Sequence, residues 1–520
     1  PDGTFMLGET AETRGLFLGC GMNSVGIAAG GGAGMNLAHA IVHGHTAYDL
    51  SEADAKRFAP VFNGVEELMA RAPEILGNHY EIAYPGKQRK SARDLKLLPL
   101  DKQHREAGAH MGQFFGWERP LFFGKTEGST PFRFSLHVGD VGHTLVVGPT
   151  GAGKSVLLSL LALQWKRYTN AQVFIFDKGR SARAATLCMG GAHIDLGSSN
   201  APSLQPLKDI DTEHGASFAA DWLTGLCTNE GVSMTPDLKA RLWEAIQSLS
   251  SAPENERTLT GLSLMLQDDT LKSALHPFTL EGPHGRLLDA DQESLALADT
   301  VCFEMEELMH AKGAVAPVIT YLFHRLEARF TGKPTLLILD EAWLFLDDPM
   351  FAARIREWLK TLRKKNVSVV FATQSLADIA NSSIAPALVE SCPTRIFLPN
   401  ERAQEPQSKE TYERFGLNTR QIELISRATP KRDYYYQSPL GARVFDLGLG
   451  PTALSVCGAS SPENQARMDR IWAETEGDGF AACWLIEKGL PWAAELLTRW
   501  PGHAPEAADP IQSVHAIAAE

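Results

Sequence analysis

The clearest indication of the fold is a stretch of eight consecutive residues, Gly148-Pro149-Thr150-Gly151-Ala152-Gly153-Lys154-Ser155. They fit the pattern G-x-x-x-x-G-K-[ST] at every fixed position. A β-prone run, residues 144–147, leads into them, and a helix-prone run, residues 156–165, follows. Glycines let backbone N–H groups turn inward, and a helix N-terminus adds positive potential. This order therefore predicts a loop that binds nucleotide phosphates; the alternative is a glycine-rich turn before an ordinary helix.

The residue types within this loop suggest separate tasks for backbone and side chains. We predict that the backbone of residues 148–155 holds the nucleotide and that Lys154 reaches its β- and γ-phosphates. The hydroxyl of Ser155 is a predicted ligand of Mg²⁺. The expected ligands of the site are therefore ATP and Mg²⁺.

Two further stretches would complete such a site. Residues 336–339 are apolar and end in Asp340 and Glu341, whose side chains point in different directions if the strand continues. We predict that Asp340 is a magnesium ligand and that Glu341 polarises the attacking water. Residues 367–373 predict another buried strand, and Gln374 at its end is a candidate catalytic sensor of the γ-phosphate.

Other apolar runs predict the rest of an α/β domain with a mainly parallel sheet. Residues 173–177 are typical of a strand buried on both faces, and residues 395–400 predict a further strand. Asp177 ends the first of these strands, and Arg180 follows it. These two residues are expected either to support the site or a subunit contact, or to form an ordinary loop ion pair.

Between these strands, residues 206–332 show no strand-like run and predict a helical insertion. Thr235-Pro236-Asp237 is typical of a helix start. Further along, residues 351–362 carry an apolar stripe at helical spacing and a basic cluster that extends to residue 365. That cluster either complements a helix C-terminus or contacts a nucleotide, a nucleic acid or a partner.

Composition limits the broad class of the protein. A chain of 520 residues is expected to hold roughly two to four domains. Its net charge of −13 argues against a protein that coats DNA, and no run of about 18 uninterrupted apolar residues suggests a membrane span. The seven cysteines are scattered, with no C-x-x-C pair, so we expect free thiols and a cytoplasmic location. Because the first residue is Pro1, one expectation is a piece of a longer protein.

Residues 1–124 differ in character from the rest. They resemble the end of the FAD-dependent oxidoreductase domain in the dimethylglycine and sarcosine dehydrogenase family, through residues 21–27, 49–50, 57–58, 84–86, 91–93 and 116–120. In that family the first glycine-rich segment, which corresponds to residues 21–27 here, lies against the flavin. A second glycine-rich run, residues 30–34, precedes a helix-like run, residues 35–42, and is expected either to allow close approach of a ligand or to be a structural glycine-rich turn. The dinucleotide fingerprint of the family is absent, so we expect no flavin activity. His39, His43 and His45 cluster near that helix end, but no nearby carboxylate or thiolate suggests a metal site.

The larger part, from about residue 128 to about residue 502, resembles the TrbE branch of the VirB-type ATPases of type IV secretion systems. The resemblance rests on residues 148–155, 176–180, 339–343, 362–366, 371–375, 397–400 and 434–436. It implies a RecA-like ATPase of the FtsK/HerA type that forms hexamers at the inner membrane face and powers conjugative pilus assembly and transfer. Such rings use an arginine supplied in trans, for which Arg363, Arg432 and Arg443 are candidates.

The expected organisation is an oxidoreductase-like fragment at 1–124, an ATPase domain at 125–502 with its insertion at 206–332, and a flexible tail at 503–520. We expect that the family's own N-terminal domain is replaced here, either by a genuine fusion or by an artefact of sequence assembly. Three alternatives stay open: a DNA-pumping coupling protein, a flavin-dependent oxidoreductase, and a catalytically silent scaffold. Direct nucleic-acid binding also stays open.

Overall fold

The computed structural model describes residues 4–59, 64–78, 88–106, 109–114, 117–122, 134–140, 142–341, 349–380, 382, 384–475, 477 and 479–499. The chain divides into two compact units, residues 1–133 and 134–520. The predicted boundary at 124 falls among residues outside the described ranges, as do residues 84–86, 116, 342–343 and the tail at 503–520. None of the described helices is long and apolar enough to cross a membrane.

The described part of the first unit contains two small sheets. Strand β1 (Met6–Glu9) pairs antiparallel with β2 (Phe17–Cys20). A second sheet has β5 (Trp117–Phe122) between β3 (Lys96–Leu97) and β4 (His110–Phe114). The helices of this unit are Gly26–His43, Val65–Gly77 and Asp101–Glu106, with 3-10 turns at Ser51–Ala53 and Ala55–Phe58.

The prediction of a glycine-rich loop before residue 35 is wrong, because residues 30–34 lie inside the helix Gly26–His43. Glycine lowers helix stability by about 1 kcal/mol per residue relative to alanine. Here Ala33, Asn36 and Ala40 lie on one buried face of the helix. Packing of this face outweighs the low intrinsic propensity of the glycines.

The second unit is built on a nine-stranded sheet. Its strands are β6 (Thr144–Val147), β7 (Gln172–Asp177), β8 (Ala192–Asp195), β9 (Thr300–Glu304), β10 (Thr335–Leu339), β11 (Val367–Thr373), β12 (Thr394–Phe397), β13 (Asp433–Ser438) and β14 (Gly441–Asp446). Their order is β14-β13-β12-β6-β11-β10-β7-β9-β8. All pairs from β12 to β8 are parallel, and β13 and β14 form an antiparallel edge. The predicted α/β class with a mainly parallel sheet is confirmed.

Helices cover this sheet and extend its core. They are Lys154–Trp165, Arg183–Cys188, Glu213–Asn229, Pro236–Ser250, Leu259–Met265, Asp269–Leu275, Gly285–Leu288, Lys312–Glu327, Pro349–Thr361, Leu376–Ala380, Ala385–Ser391, Pro406–Arg414, Thr419–Arg427, Pro451–Cys457, Pro462–Thr475, Phe480–Glu487 and Pro491–Arg499. Short 3-10 helices lie at Glu254–Glu256, His276–Phe278, Leu308–His310, Leu362–Lys365 and Glu401–Gln404. The predicted helix start at Thr235 is present, since its hydroxyl accepts a hydrogen bond from the Leu238 N–H at 3.4 Å.

The predicted insertion at 206–332 requires a correction, because it contains β9. This strand is fully buried between β7 and β8, so the region contributes to the central sheet as well as to its helical cover. Its apolar signal is short: Val301, Cys302 and Phe303 are flanked by Thr300 and Glu304. A strand of this length is identified by its neighbours in the sheet, which are remote in the chain.

Truncating Phe303 measures how strongly β9 contributes to the core. The ring is fully buried and lies 5.0 Å from that of Phe176, centroid to centroid. We expect Phe303→Ala to lower the free energy of unfolding by about 3–5 kcal/mol, because it leaves a cavity in a packed core. Leu280→Ala is the control, since that side chain is 71% exposed, and it should change stability by less than about 0.5 kcal/mol. Urea unfolding of the whole chain measures both; equal losses would contradict a central role for β9.

Candidate active site

The predicted phosphate loop joins β6, in the middle of the sheet, to the helix Lys154–Trp165. Gly151 and Gly153 adopt φ values of 81° and 106°, in the left-handed region that favours glycine. A Cβ on Gly153 would lie 2.6 Å from the Tyr434 hydroxyl oxygen. The backbone of this loop therefore requires glycine for both conformation and space.

Lys154 contacts both acids that follow β10. Its Nζ lies 2.9 Å from Oδ1 of Asp340 and 3.1 Å from Oε1 of Glu341. The three side chains are only 8%, 6% and 7% exposed, so this is a buried cluster of charges. Because β10 is separated from β6 by β11 alone, the ends of these parallel strands bring the predicted residues together.

The backbone at these acids is constrained. Glu341 has a φ of 55°, which non-glycine residues rarely adopt, and its N–H donates to Oδ1 of Asp340 at 3.0 Å. Burial raises the pKa of Asp340, whereas the adjacent Lys154 lowers it. Strained conformations of this kind persist only where the surrounding structure holds them in place. They cluster at functional sites.

Gln374 connects the loop to Glu341. Its Nε2 donates to Oε1 of Glu341 at 2.6 Å, and its Oε1 accepts from the Thr150 hydroxyl at 2.7 Å. A continuous hydrogen-bonded path thus runs from the phosphate loop to the predicted base. Sequence reasoning placed Thr150 in the loop but missed this link, which depends on the alignment of β11 beside β6.

The residues proposed for Mg²⁺ have the right chemistry and share a space. Ser155 and Asp340 line one small cavity together with Asp177 and Ser181. Hydroxyl and carboxylate oxygens are the ligands that Mg²⁺ prefers. The oxygen atoms of Ser155 and Asp340 therefore match the predicted ion in chemical type, whereas Leu158, Ile175, Ala182 and Ile338 make another part of the cavity lining apolar.

Asp177 is part of the surroundings of this cavity. It accepts hydrogen bonds from the Ser181 hydroxyl at 2.7 Å and from the Ala182 N–H at 2.8 Å. Burial, and then the charge of Asp340, raise the pKa of Asp177 to about 6. Arg180 instead forms an ion pair with Asp195 at 2.9 Å. The contacts of Asp177 are those of a residue that supports the candidate site. The contact of Arg180 is that of an ordinary loop ion pair.

Glu304, at the end of β9, was missed by sequence reasoning. Its carboxylate accepts hydrogen bonds from the backbone N–H groups of Gly179 and Arg180, at 3.1 and 2.5 Å, and so holds the turn after Asp177. Burial, and then the charge of Asp177, raise the pKa of Glu304 to about 7. The sequence signal is an acid at the end of a short apolar run, residues 301–303. This run is too short to stand out within residues 206–332, for which the sequence predicts helices.

The three arginines considered for action in trans occupy different places. Arg432 pairs with Asp446 at 3.1 Å, Arg363 lies 4.0 Å from Asp140, and Arg443 belongs to β14. In the basic cluster at 354–365, Arg354 pairs with Glu327 at 2.6 Å.

The histidines of the first unit lie close together, with ring centroids of His39 and His43 4.3 Å apart. One ring nitrogen of His39 lies 2.8 Å from the carbonyl oxygen of His45. Within the described ranges, no group of His, Cys, Asp or Glu side chains is arranged to hold a metal ion.

Comparison with known proteins agrees with both resemblances. The family model of the TraG P-loop domain matches residues 265–436, and that of the FAD dependent oxidoreductase central domain matches residues 43–97. The conjugal transfer protein TrbE of Rhizobium radiobacter is 46% identical over 408 residues, which are 77% of this chain and 49% of that protein. The type IV secretion system protein virB4 of Bartonella quintana is 34% identical over 315 residues, 59% of this chain and 40% of that protein.

A solved structure, that of VirB4 of Thermoanaerobacter pseudethanolicus, shares the fold. It aligns with a TM-score of 0.53 at 18% identity and covers 64% of this chain and 97% of the solved chain. The chain spans about half the length of the curated relatives it matches.

Proposed function

Because this chain belongs, through its larger unit, to the TrbE and VirB4 family of conjugal transfer and type IV secretion proteins, we propose that it is an ATP-hydrolysing motor of such a system. The observation that carries the proposal is the meeting of Lys154, Asp340, Glu341 and Gln374 at the carboxyl ends of neighbouring strands. Phosphoryl transfer to water needs a lysine for the phosphates, a carboxylate for Mg²⁺ and a group that orients the attacking water, and these side chains are of the types that supply all three.

Each residue has a distinct part in the proposed reaction. The loop backbone and Lys154 bind the phosphates, which requires the Lys154 ammonium to exchange its carboxylate partners for phosphate oxygens. Ser155 and Asp340 would hold Mg²⁺, and the ion would supply positive charge that neutralises the phosphates. Glu341, oriented by the Gln374 amide, polarises the attacking water. Gln374 also accepts a hydrogen bond from Thr150, so a shift of its amide when the γ-phosphate is lost would move the loop.

The proposed assembly follows from the family rather than from the geometry of one chain. We infer a homo-hexamer with peripheral contact to the inner membrane, acting with other type IV secretion components in pilus assembly and substrate transfer. In such a ring, one of Arg363, Arg432 and Arg443 would act on the neighbouring subunit's nucleotide. The first unit lies outside this proposal, and a flavin-dependent activity would be visible as yellow colour in the purified chain.

The test is phosphate release from ATP by the purified whole chain. We expect turnover with Mg²⁺ and a loss of at least about 100-fold when EDTA removes the ion, because the metal stabilises the transition-state charge. Added DNA should leave the rate unchanged. Salt-sensitive stimulation by DNA would favour the coupling-protein alternative, and a chain that binds but never hydrolyses ATP would favour the scaffold.

A further inference from the structure

Residues 431–434, which lead into β13, contact carbonyl oxygens of the phosphate loop. The proposed reaction gives these residues no role. The Tyr434 hydroxyl donates to the carbonyl oxygen of Gly153 at 3.2 Å. The backbone N–H of Lys431 donates to the carbonyl oxygen of Ala152 at 3.0 Å. One stretch of the chain, residues 431–434, therefore contacts two consecutive carbonyls of the loop. The carbonyl oxygen of Gly153 also accepts the first hydrogen bond of the helix, from the Leu157 N–H at 3.2 Å.

This contact has a directional consequence for the loop. In a trans peptide the N–H points away from the carbonyl of the preceding residue. When the carbonyls of Ala152 and Gly153 are held toward β13, the N–H groups of Gly153 and Lys154 point to the opposite side. These N–H groups lie at the N-terminus of the helix that begins at Lys154, where phosphate is bound.

The turn that makes the contact is itself fixed in place. The Asp433 carboxylate accepts from the Thr429 N–H at 2.8 Å, and Lys431 adopts a φ of 65°. The Tyr434 side chain is almost fully buried, and its ring stacks on Phe445 with centroids 5.6 Å apart. Burial raises the pKa of Tyr434 to about 12, so its hydroxyl stays a donor.

We propose that Tyr434 is a positioning residue for nucleotide binding: with the Lys431 N–H, it orients the Gly153 and Lys154 N–H groups toward the phosphates. Gly153 permits this contact because any side chain there would meet the Tyr434 hydroxyl. A loop held in its binding conformation loses less entropy when the nucleotide arrives. The inference rests on the proposed function, since it needs a nucleotide at this loop.

Tyr434→Phe removes the hydroxyl and keeps the ring. We expect the Kd for ADP, measured by calorimetry on the whole chain, to rise about 3- to 10-fold, as for the loss of one hydrogen bond. The KM for ATP should rise in parallel while kcat stays within about 2-fold, because these N–H groups bind the ground state and the transition state alike. The melting temperature of the nucleotide-free protein should change little.

Tyr436→Phe is the matched control on the same strand, because its hydroxyl donates to the Ser135 carbonyl at 3.0 Å. It should leave ADP affinity at the wild-type level. An unchanged Kd in Tyr434→Phe, or an equal rise in Tyr436→Phe, would overturn the positioning role and leave the proposed function intact. Absence of ADP binding by the wild-type chain would overturn both.

Discussion

Glu341→Gln should abolish ATP turnover while ATP stays bound. The amide has the shape of the carboxylate, and its oxygen can still accept from Gln374 and Lys154, whose contacts with Glu341 are 2.6 and 3.1 Å. The lost property is the basicity that polarises water, so the steady-state rate should fall by about 100- to 10,000-fold. The Kd for ATP should be equal to the wild-type value or lower, because one negative charge near the γ-phosphate is removed.

The measurement combines steady-state phosphate release with equilibrium ATP binding on the same preparations. Glu307→Gln is the control, because Glu307 is an exposed acid that follows the end of β9 in the same sheet. It should hydrolyse ATP at the wild-type rate. Turnover near the wild-type rate in Glu341→Gln would exclude Glu341 as the base.

Lys154→Ala should abolish both nucleotide binding and turnover, and it should also destabilise the empty protein. Asp340 and Glu341 are buried and both contact Lys154, so its removal leaves two carboxylates without their cation. Removing one partner of a buried ion pair costs about 3–5 kcal/mol, less whatever proton uptake by the acids recovers.

The stability loss in Lys154→Ala should depend on pH with a definite sign. Burial already raises the pKa of Asp340 in the folded state, and Lys154 opposes that rise. Without Lys154 the folded protein binds more protons than the unfolded chain, so the stability of the variant falls as pH increases through the folded-state pKa. The deficit relative to wild type should therefore be smaller at about pH 5 than at about pH 8.

Urea unfolding without nucleotide at both pH values measures this difference. Lys166→Ala is the control at the other end of the same helix, where the exposed ammonium contacts the Thr300 hydroxyl at 3.3 Å. Its effect should be small and should not vary with pH. A Lys154→Ala protein that keeps wild-type ADP affinity would contradict the assigned role of the loop.

The residues that meet at the candidate site could be singled out from the sequence because each has a local signal. Gly148, Gly153, Lys154 and Ser155 occupy the fixed positions of the loop pattern, and Asp340, Glu341 and Gln374 follow apolar runs of strand length. Parallel topology then brings such ends to one edge of the sheet. Local signals do not show which residues from distant parts of the chain lie next to each other in space. The hydrogen bond between Thr150 and Gln374 was therefore not predicted.

The missed features depend on contacts between remote parts of the chain. Strand β9 has a three-residue apolar centre and is stabilised by β7 and β8 on either side. Glu304 can accept its hydrogen bonds from Gly179 and Arg180 only when β9 lies beside β7. Tyr434 can donate to Gly153 only when β13 lies beside the phosphate loop. In the first unit, the buried face of Gly26–His43 overrides glycine propensity in the same way.

The sheet order also determines when the site can exist during synthesis. Strand β6 carries the phosphate loop and is made before the other strands of its sheet, yet it lies between β11 and β12, which are made much later. A nascent chain that ends before residue 367 has neither native neighbour for β6. Parallel pairing of such remote strands is slow and leaves unpaired edges exposed meanwhile. A ligand of this loop can therefore stabilise the nascent chain only after β11 and β12 have been made.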